Sequence, residues 1–485
     1  MNLIELLGDY PTLEIIGSLG KEISGLEHDS RKVQLNELFI AKKGFNKDGH
    51  KYIKEAVKNG ANSVLLDEKV ETIPGITYIL VKDTYDALSF ISSRYFDYPS
   101  RKMSMIGITG TNGKTSTSYL IQSILNANNI KTGVIGTLGV KIDESLDKLD
   151  NTTPEPISLH YNLHKMVDSE IKACVMEVSS HALELKRADY IDFDIGVFTN
   201  LTKDHLDYHI SMDNYFNSKL KLFYKTTKFN IINIDDKYGR KIIENVGHRV
   251  GLLTYGIEHK ADIYATDIKY SIDKVSFTLN YLGNNLKIIL NMPGTFSIYN
   301  ALGAASTAIA LGIDLNTIKT GLELIEGIKG RFEIVPTNRD FSVIIDFAHT
   351  ADGLEKVLKV IRQFSEGKVI VVFGAGGNRD KSKRPEMGMA VGLNCDYAIV
   401  TSDNPRNENP SAIIQDIVEG IKNTNIEYKV IVDRKEAIEY SLDIAKPKDI
   451  ILLAGKGHET YTIIGDNIYP FDERQIVLDY LKLYS

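Results

Sequence analysis

At 485 residues, with 43% hydrophobic and 25% charged residues, the chain has the make-up of a soluble globular enzyme and is too long for one ordinary core, so about three domains are expected. A net charge of -7 and a pI near 5.9 exclude the basic face of a nucleic-acid binder, and no apolar run reaches the length of a membrane span. The opening MNLIELLGDYP is acidic and broken at Pro11, so it does not read as a signal peptide; Cys174 and Cys395 stand far apart in apolar, strand-like contexts. A cytoplasmic protein with two buried thiols, and no disulfide or metal pair, is expected.

In chain order, residues 1–99 carry strand-like runs (ELFIAKKG, SVLLD, TYILV) and a helical one, YIKEAVKNGA. Residues 100–328 open with MSMIGIT, a short apolar strand running into the glycine loop GITGTNGKT. A helix is predicted next, because Leu120, Ile121, Ile124 and Leu125 recur at helical spacing. The runs ACVMEVSS, DIGVFTNL and FNIINID then alternate with helical stretches, as in a doubly wound sheet. From Ile263 to Leu290 apolar and polar residues alternate, with YLGNN as a turn, which predicts a hairpin insertion. Residues 329–485 repeat a strand–loop–helix rhythm through SVIIDFAHT, KVIVVFGAGG, DYAIVTSDNP, YKVIVD and DIILLAGKG. The expected fold class is α/β, in three domains, with a central P-loop-type doubly wound sheet and a Rossmann-like C-terminal domain whose ligands gather at the strands' carboxyl ends.

The glycine loop raises the first functional question. A phosphate-binding loop has the form G-x-x-x-x-G-K-[ST], but five positions before Gly113 stands Ile108. The strand before and the helix after are nevertheless the context that the motif needs. Gly110 and Gly113 would let backbone N–H groups turn toward phosphate oxygens. Lys114 would reach the terminal phosphates and the Thr115 hydroxyl would hold Mg²⁺. The alternative is a tight turn ending in an exposed lysine. Glu177 ends an apolar strand and offers an acid for the metal, though such an acid is as often solvated or capping. The segment FTNLTKDHLDYH packs Asn200, His205, Asp207 and His209 after another strand, where loop polars and caps are equally ordinary. A base-reading N-K-x-D is absent, since the NKD at Asn46 continues with Gly49, and this weakens a GTPase reading. VFGAGGNRD places Arg379 where a dinucleotide turn needs its last glycine, which weakens a dehydrogenase reading.

Together, GITGTNGKT, NTTP (Asn151 to Pro154), MEVSSHAL, FTNLTKDHLDYH and GRFE resemble the Mur ligase family, whose phosphate loop has the T-G-T-x-G-K-T form. The segment DSRKVQLNELFIAKKGFNKDGHKYI is similar to the family's UDP-binding N-terminal domain, and DFAHTADGLEKVL, VFGAGGNRDKSKRPEMG, TSDNPRNENP and AGKGHE to its C-terminal domain. The resemblance implies ATP-driven amide formation in peptidoglycan synthesis, with Mg²⁺ as cofactor and ATP as co-substrate. It also implies a UDP-sugar-binding domain over 1–99, an ATP-binding domain over 100–328 and an amino-acid-binding domain over 329–485.

Carried over by position, the resemblance assigns the ATP site to Gly110, Thr111, Asn112, Gly113, Lys114, Thr115, Ser116, Asn300, Arg331, Asp346 and His349. Ser30, Asn151, Thr152, Thr153, Ser179 and Arg187 would hold the UDP-muramoyl dipeptide. Leu185 stands where relatives often have glutamine, which puts a contact there in doubt. Lys114, Glu177, His205 and Lys219 would serve catalysis, with Thr115, Glu177, His205 and a carbamate on Lys219 as metal ligands. The added amino acid would meet Arg379, Asp403, Asn404, Pro405, Arg406, Gly455 and Glu459. In the family an arginine after Asn-Pro accompanies meso-diaminopimelate, so that amino acid is expected, with L-lysine as the alternative. The expected partners are these small molecules only, with no nucleic acid or membrane, in a monomer. Two other readings need discrimination: a folylpolyglutamate synthase, which would not need the DSRKV…DGH segment, and a nucleotide-gated interaction protein, whose ATP hydrolysis would not depend on dipeptide and amino acid.

Overall fold

In the computed structural model, which describes residues 1–44, 47–149 and 151–483, the chain forms two units. One comprises Met1–Thr109, Ile130–Gly196 and Ser218–Asn230; the other comprises Gly110–Asn129, Val197–Asn217 and Ile231–Ser485. The NKD at Asn46 lies outside the described residues.

The first unit begins with a five-stranded sheet in the order Glu14–Ile16, Thr77–Leu80, Ser63–Leu66, Leu38–Ala41, Leu26–Glu27. All neighbours are parallel except the first pair. Leu38–Ala41 and Ser63–Leu66 are buried at every position, because helices cover both faces; this is why they read as continuous apolar runs and not as alternation. The helix Thr84–Tyr95 starts at Asp83, whose carboxylate accepts from the Tyr85 and Asp86 amides. It buries Ala87, Leu88 and Ile91 against Leu38, Ile40, Leu65 and Ile79.

The same unit holds the expected strands MSMIGIT and ACVMEVSS, as Ser104–Thr109 and Ala173–Glu177, in parallel register with Glu177 beside Ile108. Thr132–Gly136 lies parallel on the other side of Ala173–Glu177, and an antiparallel edge, Gly139–Ile142 and Ser145–Asp147, follows. DIGVFTNL and FNIINID also form strands, Ile195–Phe198 and Phe229–Asn233.

In the second unit the helix Lys114–Ala127 forms as predicted, with Leu120, Ile121, Ile124 and Leu125 fully buried. The expected hairpin insertion is a three-stranded antiparallel meander, Ile263–Tyr270, Val275–Tyr281 and Asn284–Leu290. The turn at YLGNN is where the sequence places it. The other turn, closed by the Ser271 amide on the Lys274 carbonyl, contains neither Gly nor Pro and offers only the weaker turn signals of Ser271 and Asp273.

The C-terminal sheet has the order Glu333–Val335, Ser342–Asp346, Ile450–Ala454, Val369–Phe373, Tyr397–Val400, Glu427–Val430. It is parallel but for the first strand. Alternate residues enter two separate cores: Val371, Phe373, Leu452 and Ala454 on one face, and Ile370, Val372, Ile451 and Leu453 on the other. Four loops leave the carboxyl ends of this sheet, after Asp346, Phe373, Val400 and Ala454, and these loops carry the residues assigned to ligand. Cys174 lies in a strand and is buried as expected, whereas Cys395 is buried at the C-cap of the helix Lys383–Asn394. It is carried by a helix end and not by a strand, and it joins a core that both helices and strands build. A two-stranded hairpin, Tyr461–Ile464 with Asn467–Pro470, turns at Gly465 and follows the last sheet strand. No helix among the described residues is long and apolar enough to cross a membrane.

Candidate active site

The loop between strand and helix is built by what holds it from behind. Asn200 clamps it twice, its carbonyl accepting from the Thr111 amide at 2.8 Å and its side-chain oxygen from the Asn112 amide at 3.0 Å. The Asn200 side-chain amide and the Thr199 hydroxyl both donate to the Asn112 carbonyl, at 3.0 and 2.7 Å. Gly110 and Gly113 are required for two reasons. Both have positive φ, +154° and +86°. A Cβ at Gly110 would lie 1.9 Å from the Thr199 hydroxyl, and one at Gly113 would lie 2.4 Å from the Asn300 side-chain oxygen. The helix then starts at Gly113 with no side-chain cap, which leaves its positive end to the loop. Lys114 folds back over the loop, its Nζ donating to the carbonyls of Gly110 and Thr111 at 2.9 and 3.0 Å.

Residues far away in sequence complete this arrangement. Arg331 donates from Nη2 to the Thr115 hydroxyl at 3.1 Å and stacks on the Phe347 ring at 4.6 Å. Asn300 is buried, its Oδ1 accepting from the Thr117 hydroxyl at 3.4 Å. Asp352, which sequence reasoning missed, accepts from the Asn112 side-chain amide and the Thr202 hydroxyl, both at 3.0 Å, and so ties the loop to the helix Ala351–Arg362. Asp346 is buried and anchored by the amides of Phe332 and Ala348; burial pushes its carboxyl upward, opposed by Arg331. Burial likewise lowers the His349 imidazole, with Lys383 adding to the effect. Asp204 is a second missed residue, buried 3.4 Å from His205 Nε2. Burial works to raise its carboxyl, but His205, His349 and Lys383 outweigh it and hold it low. Its only signal in the sequence was its place beside His205. Ser116 is buried in the first turn of the loop's helix.

In the first unit, Glu177 is only 1% exposed. Its two oxygens accept from the Thr137 amide at 3.0 Å and hydroxyl at 2.9 Å, and no cation among the described residues pairs with it. A solvated strand-end acid is therefore not what the fold makes of it. Thr152 reaches the Thr137 hydroxyl at 3.2 Å. The Thr153 hydroxyl donates to the Glu177 carbonyl at 2.8 Å and accepts from the Ser179 amide at 3.0 Å, so it braces the strand end. Arg187 donates to the Thr153 carbonyl at 3.1 Å and pairs with Glu155 at 2.6 Å; Lys42 pairs with the other Glu155 oxygen at 2.6 Å. Burial works to raise the Glu155 carboxyl, but Lys42 and Arg187 dominate and lower it. Neither Lys42 nor Glu155 carried a motif that could have found it. Asn151 is exposed, Leu185 half-buried, and the Ser30 hydroxyl is buried, donating to Glu55 at 2.6 Å. Lys219 is 2% exposed, so the ordinary solvated lysine is excluded.

The third cluster lies at the ends of two C-terminal strands. Asp403 is half-buried beside Lys456 and Arg434; desolvation works to raise its carboxyl, and the two cations outweigh it and hold it low. Asn404 donates from Nδ2 to Glu459 at 2.8 Å. Arg406 has left-handed backbone, φ +52°. Its amide donates to the Ile463 carbonyl at 3.1 Å, and its own carbonyl accepts from Gly465 at 2.8 Å. Its guanidinium donates to the Gly377 carbonyl at 2.8 Å. Pro405 is buried, Gly455 has φ +110°, and Arg379 is exposed. Burial pushes the Glu459 carboxyl upward, reinforced by Asp403. The result is an arginine and a carboxylate on one loop cluster, suited to a ligand bearing both signs of charge.

Comparison with known proteins gives the family. Residues 22–95 match the Mur ligase family catalytic domain, 108–308 the Mur ligase middle domain, and 330–457 the Mur ligase glutamate ligase domain. A UDP-N-acetylmuramoyl-L-alanyl-D-glutamate–2,6-diaminopimelate ligase of Caldanaerobacter subterraneus subsp. tengcongensis is 48% identical over 481 residues, 99% of each chain. One of the same name from Clostridioides difficile is 46% identical over 483 residues, 99% of this chain and 100% of the relative. A solved structure of a ligase with that name superposes with a TM-score of 0.70 at 30% identity, covering 100% of this chain and 99% of the other. The chain belongs to the Mur ligase family.

Proposed function

We propose that this chain is the ATP-dependent ligase that adds meso-diaminopimelate to UDP-N-acetylmuramoyl-L-alanyl-D-glutamate, acting in the cytoplasm as a monomer. The observation that carries the choice of amino acid is the loop Asp403–Arg406, locked to the hairpin after Tyr461 with Arg406 and Glu459 on one cluster. Diaminopimelate is lysine with a second carboxylate at its far end. Arg406 can hold that carboxylate through two parallel N–H bonds, and Glu459 can pair with the neighbouring ammonium. The two relatives bear the name of the diaminopimelate-adding enzyme.

In the reaction, the D-glutamate carboxylate of the dipeptide attacks the γ-phosphate of ATP, giving an acyl phosphate and ADP. The amine of the amino acid then displaces phosphate and the amide forms. Both reactants of the first step are anions, so this chain must neutralise and align them. Lys114 and the positive end of its helix serve the phosphates, and Arg331 holds Thr115 in place. We assign the UDP-sugar to residues 1–99, ATP to 100–328 and the amino acid to 329–485.

The donor set fits Mg²⁺. Glu177 is a buried carboxylate with only the neutral donors of Thr137, a state that calls for a cation. In the other unit Thr115 offers a hard hydroxyl oxygen, and His205 is assigned to the ion by the resemblance alone. When bound, the ion supplies positive charge to the phosphate oxygens. Lys219 we assign as a carbamate, since its burial disfavours a bare ammonium beside a divalent cation while two carbamate oxygens would attract one. Lys219→Ala is then expected to be nearly inactive, with partial recovery on adding small carboxylates. A bare amine in high-resolution density of the ATP-bound protein would overturn that assignment.

The test of the whole reading is direct. Purified protein is incubated with the UDP-muramoyl dipeptide, ATP and a panel of amino acids, and the product is weighed by mass spectrometry. Addition of diaminopimelate in strong preference to lysine is expected. Equal specificity constants for the two would overturn it.

A further inference from the structure

One charged side chain of the C-terminal cluster has no part in the chemistry above. Lys456 follows Gly455 in the loop after Ile450–Ala454 and is 0% exposed. Its Nζ donates to Asn404 Oδ1 at 3.0 Å and to the Tyr461 carbonyl at 2.8 Å, and lies 3.8 Å from Glu459 Oε2. The Ile463 amide donates to the same Asn404 oxygen at 3.0 Å. Two donors on Oδ1 decide which way the Asn404 amide faces, because a flipped amide would set its NH₂ against both of them. The NH₂ group is thereby turned to Glu459 Oε2, at 2.8 Å. Glu459 Oε1 accepts no hydrogen bond from the described residues. The carboxylate is thus held by one oxygen and presents the other.

We propose that Lys456 is a positioning residue for the amino-acid substrate: it fixes the Asn404 amide, which in turn aims the Glu459 carboxylate at the substrate ammonium. The inference rests on the ligase reading and deepens it. Carboxylates do balance its charge, Glu459 at 3.8 Å and Asp403 beside it, yet both hydrogen bonds of Nζ go to neutral acceptors, an amide oxygen and a backbone carbonyl. Burial lowers the Lys456 ammonium while Asp403 acts to keep it charged. A charged donor gives the stronger hold on Oδ1.

The test uses the full-length protein. Lys456→Met keeps the shape and removes the donor. It is expected to raise KM for diaminopimelate by about 10-fold or more, with KM for ATP and for the dipeptide changed by less than about twofold. Asn404→Leu should do the same, and the double variant should be no worse than the worse single, because the two residues act as one unit. A merely structural lysine would predict multiplied effects, or a rise in all three KM values. Either result, or an unchanged KM for diaminopimelate, overturns the inference. Should Lys456→Met fail to fold, Asn404→Asp decides. It keeps an oxygen for Lys456 and Ile463 but turns a second oxygen to Glu459, so KM for diaminopimelate must rise while that for ATP does not, and a wild-type value overturns the inference. If the unmodified protein does not ligate diaminopimelate at all, the ligase reading falls and this inference falls with it. If only the Lys456 and Asn404 variants behave as wild type, the inference alone falls.

Discussion

Lys114→Ala is expected to leave the fold intact and to lower ATP-dependent ligation by about 10²–10³-fold or more, the loss that follows from removing one preorganised charge-stabilising donor. The side chain contributes little to the scaffold. Its Nζ rests on the carbonyls of Gly110 and Thr111, which belong to a loop already secured by Asn200, Thr199 and Asp352. The backbone turn therefore survives the truncation, and the melting temperature should stay close to that of the unmodified protein. What disappears is a cation that can reach the terminal phosphates as negative charge builds on them. Unchanged turnover in a well-folded variant would remove the loop from the mechanism.

Arg406→Ala should cost about 2–5 kcal/mol in recognition of diaminopimelate, which is about 30- to 5,000-fold in the specificity constant. The substitution is clean for a structural reason. The left-handed backbone at Arg406 costs an alanine much what it costs an arginine. The two backbone hydrogen bonds to Ile463 and Gly465 do not depend on the side chain. Among the described residues, the side-chain hydrogen bond lost is that to the Gly377 carbonyl. The rate with L-lysine, which has no second carboxylate to leave unpaired, should change far less, so the preference between the two amino acids collapses. The measurement is the ratio of their kcat/KM values in both proteins. A variant that keeps the original ratio would show that Arg406 does not read the distal carboxylate.

Some of this was legible in the residues because it depends on neighbours in sequence. The apolar run before Gly110, the helical spacing of Leu120 to Leu125 and the strands after Ser342, Val369, Tyr397 and Ile450 all formed as read. A strand or helix needs only its own period of apolar residues and a capping or turn residue at its ends. What went unread fell where those local cues are weak: the first turn of the 263–290 meander has no Gly or Pro, and the hairpin at Tyr461–Pro470 exposes much of its apolar surface. Cys395, read in a strand-like context, stands at a helix end.

The sequence by itself determined the phosphate loop, its glycines, the central and C-terminal α/β sheets and the residue types at the carboxyl ends of their strands. Only the tertiary structure decided which of those residues meet. Asp352 reaches Asn112 across 240 positions, Arg331 reaches Thr115 across 216, and Lys456 reaches Asn404 across 52. No local period encodes such pairs. Lys456 and Asn404 meet because parallel strands deliver their loops to one edge of a sheet, whereas Asp352 and Arg331 reach the phosphate loop from the region of a different sheet. Burial, set by the same packing, then decides that Glu177 and Lys219 are enclosed groups and not solvated ones.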